Sequence, residues 1–240
     1  MGKPVLLAWS GGKDSLMALE LLMGNSSWEV VGLLTSVTST YDRVSMHGVR
    51  RELLVEQACS LGLPLDIVWL EPGESNETYE EKMALKLREY LARGIKHTAF
   101  GDIFLEELRG YRERNLAKLG IEGLFPLWGT DTRLAMRSFV MRGFQALITC
   151  VDTWALDGSF LGRKLDETFL EELPSGVDPC GENGEFHSFV YGGPLFKTTI
   201  RFHLGEVVER EKGRFLFQDL LPHISPVLAR VSGEASRLEV

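Results

Sequence analysis

The segment of this sequence best suited to chemistry is Ser10–Ser15, which reads Ser-Gly-Gly-Lys-Asp-Ser and follows an apolar run. Its two glycines allow a tight turn in which successive backbone N–H groups face one point. A helix that begins near Asp14 adds unpaired N–H groups and the positive end of its dipole. Two serine hydroxyls and the charge of Lys13 complete the set. These groups predict a binding site for an anion of the size of phosphate.

The simpler interpretation of Ser10–Ser15 is an ordinary glycine turn with a serine cap. The spacing also differs from Gly-x-x-x-x-Gly-Lys-Ser/Thr and from Gly-x-Gly-x-x-Gly, so neither of those phosphate-binding loops is present here. The position between a buried strand and a helix favours the anion site, because ligands bind at the carboxyl ends of strands in open α/β sheets.

A second segment, Asp178–Ser188, contains three glutamate or aspartate residues, a histidine and a cysteine among glycines. It could present Glu182, Glu185 and His187 to a substrate amine or a metal, and strand alternation would place Glu185 and His187 on one face. A solvated acidic turn is the alternative, since ligand-type residues need the right geometry to hold a metal. Cys180 is a weaker candidate nucleophile, because no neighbour in the sequence obviously lowers its pKa.

Single residues add two further candidates. Asp102 follows the fourth predicted strand and would lie at the carboxyl edge of the sheet, where it could face a cleft. His47 lies on a polar loop after the second strand, where most histidines are merely solvated. Arg109, Arg112 and Arg114 fit a solvated helix face better than a binding patch.

These candidates lie on alternating strands and helices. Through the first 150 residues the predicted elements are Pro4–Trp9, Asp14–Met23, Trp28–Val37, Gly48–Leu61, Asp66–Leu70, Glu77–Ala92, His97–Ile103, Leu105–Leu119, Leu124–Leu127, Asp131–Arg142 and Ala146–Val151. This alternation is typical of a doubly wound parallel sheet. After Asp152 the rhythm changes to a short helix and several short strands: Asp166–Leu173, Phe186–Tyr191, Lys197–Leu204, Glu206–Glu211 and Arg214–Gln218.

We therefore expect an α/β fold with two domains. Residues 1–152 would form a Rossmann-like domain, and residues 153–240 a smaller α+β domain; the family resemblance described below implies that the first binds a nucleotide and the second the substrate. Asp131 or Thr130 is expected to cap the helix Asp131–Arg142.

Composition narrows the function classes. The 240 residues are 44% hydrophobic and 25% charged, with a net charge of −8 and three cysteines. Neither half has the excess of Lys and Arg that nucleic-acid binding needs. The cysteines are too scattered for a disulfide framework or a Cys-x-x-Cys metal site. No run of about 20 apolar residues or signal-peptide core is present, so we expect a cytoplasmic protein that does not enter the membrane.

Ser10–Ser15 resembles the pyrophosphate loop of the ATP pyrophosphatases, the PP-loop group of the HUP-type adenine nucleotide alpha hydrolase-like superfamily. The resemblance implies that ATP is split between its α- and β-phosphates. By the same resemblance, Ser10, Gly11, Gly12, Lys13 and Ser15 contact the phosphates, and Asp14 helps to hold Mg²⁺.

The pyrophosphate loop, Gly101-Asp102-Ile103 and Gly181–Ser188 together resemble the diphthine–ammonia ligase family over about residues 4–200. The resemblance implies an AMP-forming carbon–nitrogen ligase that adenylates a carboxylate and amidates it with ammonia. In that family the carboxylate belongs to a modified histidine of elongation factor 2. The family also places a Met-His pair, here Met46-His47, near the nucleotide pocket. Catalytic roles would fall to Lys13, Asp14, Glu182, Glu185 and His187, whereas His47 and Asp102 would help to bind the nucleotide.

One departure bears on the substrate. The family motif Gly-Glu-Gly-Gly-Glu-Phe/Tyr-Glu-Thr reads Gly-Glu-Asn-Gly-Glu-Phe-His-Ser here, with Asn183 for a glycine and His187 for an acid. This variant is similar to the family's bacterial branch, for which a cobalamin-linked role has been suggested. A related ATPase with another small-molecule substrate therefore stays open. An RNA-modifying PP-loop enzyme and a nucleotide-sensing module are disfavoured alternatives, and a homodimer is a further expectation.

Overall fold

The computed structural model describes residues 2–44 and 48–223. Its strands and α-helices follow the chain in this order: β1 (Lys3–Ala8), α1 (Lys13–Met23), β2 (Trp28–Thr38), β3 (Arg43–Val44), α2 (Arg51–Leu61), β4 (Leu65–Leu70), α3 (Asn76–Ala92), β5 (His97–Ala99), α4 (Glu106–Ala117), β6 (Glu122–Leu124), α5 (Thr132–Met141), β7 (Gln145–Asp152), α6 (Glu167–Glu172), β8 (Phe186–Gly192), β9 (Phe202–Arg210) and β10 (Phe215–Pro222).

The first sheet has five parallel strands in the order β4-β2-β1-β5-β6, and β3 adds an antiparallel pair to the end of β2. Its centre is apolar on both faces, because Val5 and Leu7 of β1 belong to one buried cluster and Leu6 to another. Such continuous apolar strands are typical of a parallel sheet covered by helices on both sides. The predicted α/β doubly wound fold is confirmed.

The order of the strands places a topological switch point between β1 and β5. From β1 the chain moves outward through β2 to β4, and it then returns to the other side of β1 to form β5 and β6. The segments that leave the carboxyl ends of β1 and β5 are therefore neighbours. These segments contain the two predicted motifs that begin at Ser10 and Gly101, and ligands of doubly wound sheets bind at such a point.

The second sheet is antiparallel and has the order β8-β7-β10-β9. This corrects the placement of Ala146–Val151, which was expected to close the parallel series. An apolar run buried on both faces is equally suited to a central antiparallel strand, so periodicity could not separate the two cases. The second sheet thus begins before residue 152, and the domain limits 1–152 and 153–240 stay a prediction.

Smaller differences concern the element bounds. The two strands expected at Lys197–Leu204 and Glu206–Glu211 are one strand, β9, which continues through Gly205 where its partner β10 has a register shift. The strand expected at Leu124–Leu127 lies earlier, as β6. The predicted cap is confirmed, because Asp131 accepts a hydrogen bond from the Leu134 N–H at 2.9 Å. No helix in the described part of the chain has the length and apolar character needed to cross a membrane.

The backbones of the two motifs at the switch point approach so closely that Gly101 has no room for a side chain. A Cβ atom there would lie 2.7 Å from the carbonyl carbon of Asp14 and 3.0 Å from the Ser15 nitrogen. Only glycine lets the chain after β5 pass against the first turn of α1.

We expect Gly101→Ala to lower the free energy of unfolding by about 1–3 kcal/mol, because the clash is with backbone that cannot rotate away. Chemical denaturation would measure the change. Gly176→Ala is the matched control, since a Cβ there meets no atom within 4 Å. Equal stability of the two variants would contradict the close approach.

Candidate active site

A cavity of about 790 Å³ opens at the switch point, and residues of both sheet regions line it. Its size is within the range of small-molecule sites. Among the predicted residues, the lining includes Ser10, Lys13, Asp14, Ser15, Asp102, Glu182 and His187. The structure therefore brings together most of the two motifs that lie about 170 residues apart in the sequence.

The loop between β1 and α1 folds around its glycines and serines. Gly11 has φ +79°, a conformation that favours glycine. The Ser15 hydroxyl donates to the Gly12 carbonyl at 2.9 Å and lies 3.3 Å from the Ser10 hydroxyl. Gly12 is the N-cap of α1 and has no side chain that could cap the helix itself. The positive end of the helix dipole is thus directed at the cavity edge.

A buried amide holds this loop in place. Gln57 of α2 is fully buried, and its Nε2 donates to the Gly11 carbonyl at 2.9 Å and to the Val190 carbonyl at 2.6 Å. Its Oε1 accepts the Trp9 indole N–H at 2.9 Å. Strand β8 adds two bonds of its own, from the Val190 N–H to the Gly11 carbonyl and from the Lys13 N–H to the Ser188 hydroxyl. The loop is therefore fixed from the second sheet.

Lys13 and Asp14 form a close ion pair beside the cavity. The Lys13 Nζ lies 2.9 Å from Asp14 Oδ2 and 5.2 Å from the centre of the Phe186 ring. Burial alone lowers the pKa of Lys13, but the acidic groups around it, Asp14 foremost, together outweigh burial and hold the pKa above its usual value. Burial also raises the pKa of Asp14, because it outweighs the attraction of Lys13. The lysine therefore keeps its charge. Asp14 Oδ1 is buried without a hydrogen-bond partner.

Glu182 connects the second motif to the end of β5. Its Oε1 accepts hydrogen bonds from the N–H groups of Ile103 at 2.7 Å and Phe104 at 3.4 Å. Burial raises the pKa of Glu182 to about 7, because it outweighs the N–H of Ile103, and the charge of Asp14 acts in the same direction as burial. A carboxyl group that titrates near neutral pH in a cavity is suited to proton transfer.

Glu185 lies outside the cavity lining and holds the loop that carries Glu182. One of its oxygens accepts from the Asp178 N–H at 3.0 Å and the Asn183 amide at 2.9 Å, and the other from the Asn183 N–H at 3.0 Å. The Asp178 carboxylate in turn accepts from the Glu182 N–H at 3.1 Å. The sequence suggested that Glu185 faces a ligand, whereas its contacts are with its own loop.

Asp102 is paired with an arginine that the sequence placed on a solvated face. Arg112 of α4 donates to both Asp102 oxygens, at 2.6 and 3.2 Å, and its guanidinium lies 4.4 Å from the centre of the Phe100 ring. Both residues line the cavity. Arg112 therefore balances the negative charge of Asp102, and the Phe100 ring holds the Arg112 guanidinium in position.

The remaining candidates differ in their surroundings. His187 lies on β8 and lines the cavity. Cys180 is fully buried, with its thiol 3.6 Å from the Thr132 carbonyl, and burial raises the pKa of the thiol far above its usual value. A buried, protonated thiol does not suit a nucleophile. His47 and Met46 lie outside the described residues.

The cavity lining includes buried polar side-chain atoms that have no hydrogen-bond partner in the described part of the chain. Asp14 Oδ1, Thr35 Oγ1 and Glu74 Oε2 are all buried without a hydrogen-bond partner, and all three residues line this cavity. Within the described residues, no group of three or more His, Cys, Asp or Glu side chains could hold a metal. One carboxylate with phosphate oxygens is nevertheless a usual environment for Mg²⁺, so Asp14 fits that ion together with a nucleotide.

The family is decided by sequence comparison. The profile of the diphthamide synthase N-terminal domain matches residues 3–123, and that of the diphthamide synthase C-terminal domain matches residues 131–219. The chain belongs to the diphthamide synthase family. The resemblance inferred from the motifs is thereby confirmed, whereas the assignment to a bacterial branch stays a prediction.

Curated relatives carry the name diphthine–ammonia ligase. The protein of Danio rerio is 32% identical over 222 residues, which cover 83% of this chain and 86% of the relative. That of Bos taurus is 32% identical over 171 residues, or 65% and 62% of the two chains. That of Homo sapiens is 33% identical over 144 residues, or 58% and 52%. The chain thus matches little more than half the length of the bovine and human relatives.

The pKa of Glu182 gives the first test of this site. Carbon-13 NMR of glutamate-labelled protein should show a carboxyl titration near pH 7 that Glu182→Gln removes. Because the pKa of Glu182 is raised in the folded state, its carboxyl group holds a proton more tightly there than in the unfolded chain. Its contribution to the free energy of unfolding therefore stabilises the protein at acid pH and is lost as the pH rises through about 7. A midpoint near the usual glutamate value of about 4.3 would contradict the burial of this group.

Gln57→Leu tests the attachment of the loop. We expect a loss of about 1–3 kcal/mol in the free energy of unfolding, because the indole N–H of Trp9 and the Val190 carbonyl lose a partner in the interior. Gln145→Leu, at an exposed position of β7, is the control. Denaturation curves that shift equally for both variants would show that Gln57 does not hold the loop.

Proposed function

We propose that this chain is an ATP-dependent ligase of the diphthine–ammonia ligase type. It would activate a carboxylate with ATP, release pyrophosphate and AMP, and form an amide with ammonia. The observation that carries the proposal is the joint cavity, in which the N-terminal turn of α1, a charged lysine and Glu182 meet.

The phosphate loop would bind the β- and γ-phosphates of ATP. The candidate donors at the cavity edge are the N–H groups of Asp14 and Ser15 in the first turn of α1 and the Ser10 hydroxyl. The Ser15 hydroxyl and the Lys13 N–H already donate to the Gly12 carbonyl and to the Ser188 hydroxyl. Lys13 would neutralise the charge that develops on the departing diphosphate. The fixed loop backbone means that these donors need no rearrangement when the α–β bond breaks.

In the first step, an oxygen of the acceptor carboxylate attacks the α-phosphorus of ATP. The bond from that phosphorus to the bridging oxygen of the β-phosphate breaks, and pyrophosphate leaves with the electron pair. In the second step, the nitrogen of ammonia attacks the acyl carbon, and AMP leaves with the oxygen that had joined it. The amide nitrogen loses a proton as it forms.

The magnesium ion would be held by Asp14, whose Oδ1 has no hydrogen-bond partner in the protein. When bound, Mg²⁺ supplies positive charge to the departing diphosphate. Lys13 would stay close to this carboxylate, and the positive charges of Lys13 and of the ion would favour its ionised form against the burial that raises its pKa.

Glu182 is the group we assign to the proton from the nitrogen donor. A carboxylate with a pKa of about 7 is ionised in a large fraction of molecules at neutral pH and still basic enough to accept a proton. His187 would contact the acceptor from β8, Asp102 and Arg112 would shape the nucleotide side, and Glu185 would position the Glu182 loop.

Asp14→Asn tests the reaction class. With ATP, Mg²⁺, ammonium and a carboxylate acceptor, the unmodified chain should release AMP and pyrophosphate in equal amounts. The variant should bind ATP but lose about 10²–10³-fold in turnover, because it cannot hold the ion at the diphosphate. Anion-exchange chromatography of the nucleotide products gives the measurement.

Asp131→Asn is the matched control for this substitution. It makes the same chemical change at the cap of α5, where asparagine caps as well as aspartate. It should leave turnover unchanged. Release of ADP and phosphate by the unmodified chain would contradict the proposed reaction, and normal turnover by Asp14→Asn would remove the assignment of the ion to this carboxylate.

A further inference from the structure

An apolar recess between α3 and α4 has no role in the reaction proposed above. It encloses about 240 Å³, and its apolar lining includes Met83, Ala84, Leu87, Phe100 and Leu116. Leu87, Phe100 and Leu116 are buried members of the smaller core cluster, so their side chains form a firm floor. We call this space the interhelical recess.

Polar side chains join α3 and α4 at the rim of the recess. Glu80 of α3 accepts a hydrogen bond from the Tyr111 hydroxyl of α4, and the Lys118 ammonium lies 3.5 Å from the same carboxylate. Burial, together with this bond, raises the pKa of Tyr111 to about 12, so the hydroxyl remains a donor. The two helices are thus joined through polar side chains above an apolar floor.

The interhelical recess and the catalytic cavity share a wall. Tyr79, Met83, Phe100 and Arg112 line both spaces. Arg112 is held between the Asp102 carboxylate and the Phe100 ring, so the wall includes a fixed positive charge as well as apolar surface. The shared residues place the recess directly beside the cavity. An apolar group next to a carboxylate that lies in the cavity can therefore contact these residues.

We propose that the interhelical recess binds a compact apolar group, of the size of one aromatic ring, on the acceptor whose carboxylate is activated in the cavity. This inference rests on the proposed function and adds a substrate class to it. An apolar cavity of about 150 Å³ is large enough to hold benzene, so a single ring fits. Burial of such a ring removes apolar surface of both partners from water.

The probes that test the proposal are 3-phenylpropionate and propionate, which share a carboxylate and differ by the ring. Carbon-13 methyl NMR of alanine-labelled protein reports binding at Ala84, which lines the recess and not the cavity. The aromatic acid should bind at least about tenfold more tightly and shift the Ala84 methyl signal, since it alone reaches the apolar lining. Equal affinities, or binding that leaves the Ala84 signal unshifted, would overturn the proposal.

Ala84→Phe fills the recess from α3, and Leu85→Phe is its control, because Leu85 is exposed and does not line the recess. Ala84→Phe should remove the tenfold preference, whereas Leu85→Phe should keep it, and both should bind ATP like the unmodified chain. Ala84→Val gives a partial obstruction if the larger side chain prevents folding. An unaltered preference in the obstructed variant that still binds ATP would overturn the proposal.

The two proposals fail in different ways. If 3-phenylpropionate shifts the Ala84 signal but no acceptor supports pyrophosphate release, the recess is a binding site and the proposed reaction is wrong. If carboxylates release pyrophosphate equally with and without an apolar group, and Ala84→Phe changes nothing, the reaction stands and the recess has no part in it.

Discussion

The hydrogen bonds of one buried side chain, Gln57, determine where the phosphate loop lies. Its amide joins the loop after β1 to α2 and to β8, and both ends of the amide are fully used. Because β8 follows the segment that carries Glu182 and also includes His187, the same bonds set the position of the second motif. Together with the hydrogen bonds of Ser188 to the loop and of Glu182 to the end of β5, this attachment holds the two motifs at one cavity.

The charges of the cavity are the second constraint. Among the described residues that line it, acids outnumber Lys and Arg, since Asp14, Glu71, Glu74, Asp102 and Glu182 stand against Lys13 and Arg112. A nucleotide that carries several negative charges would therefore depend on backbone N–H groups and on a cation beside Asp14. The same excess of acids favours a positively charged species such as ammonium near Glu182.

Local sequence was enough for part of this description. The loop at Ser10–Ser15 was predicted because its glycines, its serines and the start of a helix all lie within a few residues, and the parallel sheet followed from alternating elements. The placement of β7 could not be predicted, because a doubly buried strand has the same pattern in either kind of sheet.

Hydrogen bonds and ion pairs between residues far apart in the sequence could not be predicted either. Gln57 and Ser188 act through atoms 46 to 175 residues away, and nothing in their own surroundings distinguishes them from solvated polar residues. Arg112 was assigned to a solvated face because helical spacing does not reveal that Asp102 lies opposite. The contacts of Glu185 with its own loop likewise depend on a turn that spacing alone does not specify.

The most direct measurement is a crystal structure of the chain with an ATP analogue whose α–β bridge is a methylene group. The proposed role of the loop requires the β- and γ-phosphates to lie at the first turn of α1, within hydrogen-bond distance of its N–H groups and beside Lys13. An analogue bound with its phosphates elsewhere, and the loop between β1 and α1 empty, would contradict it.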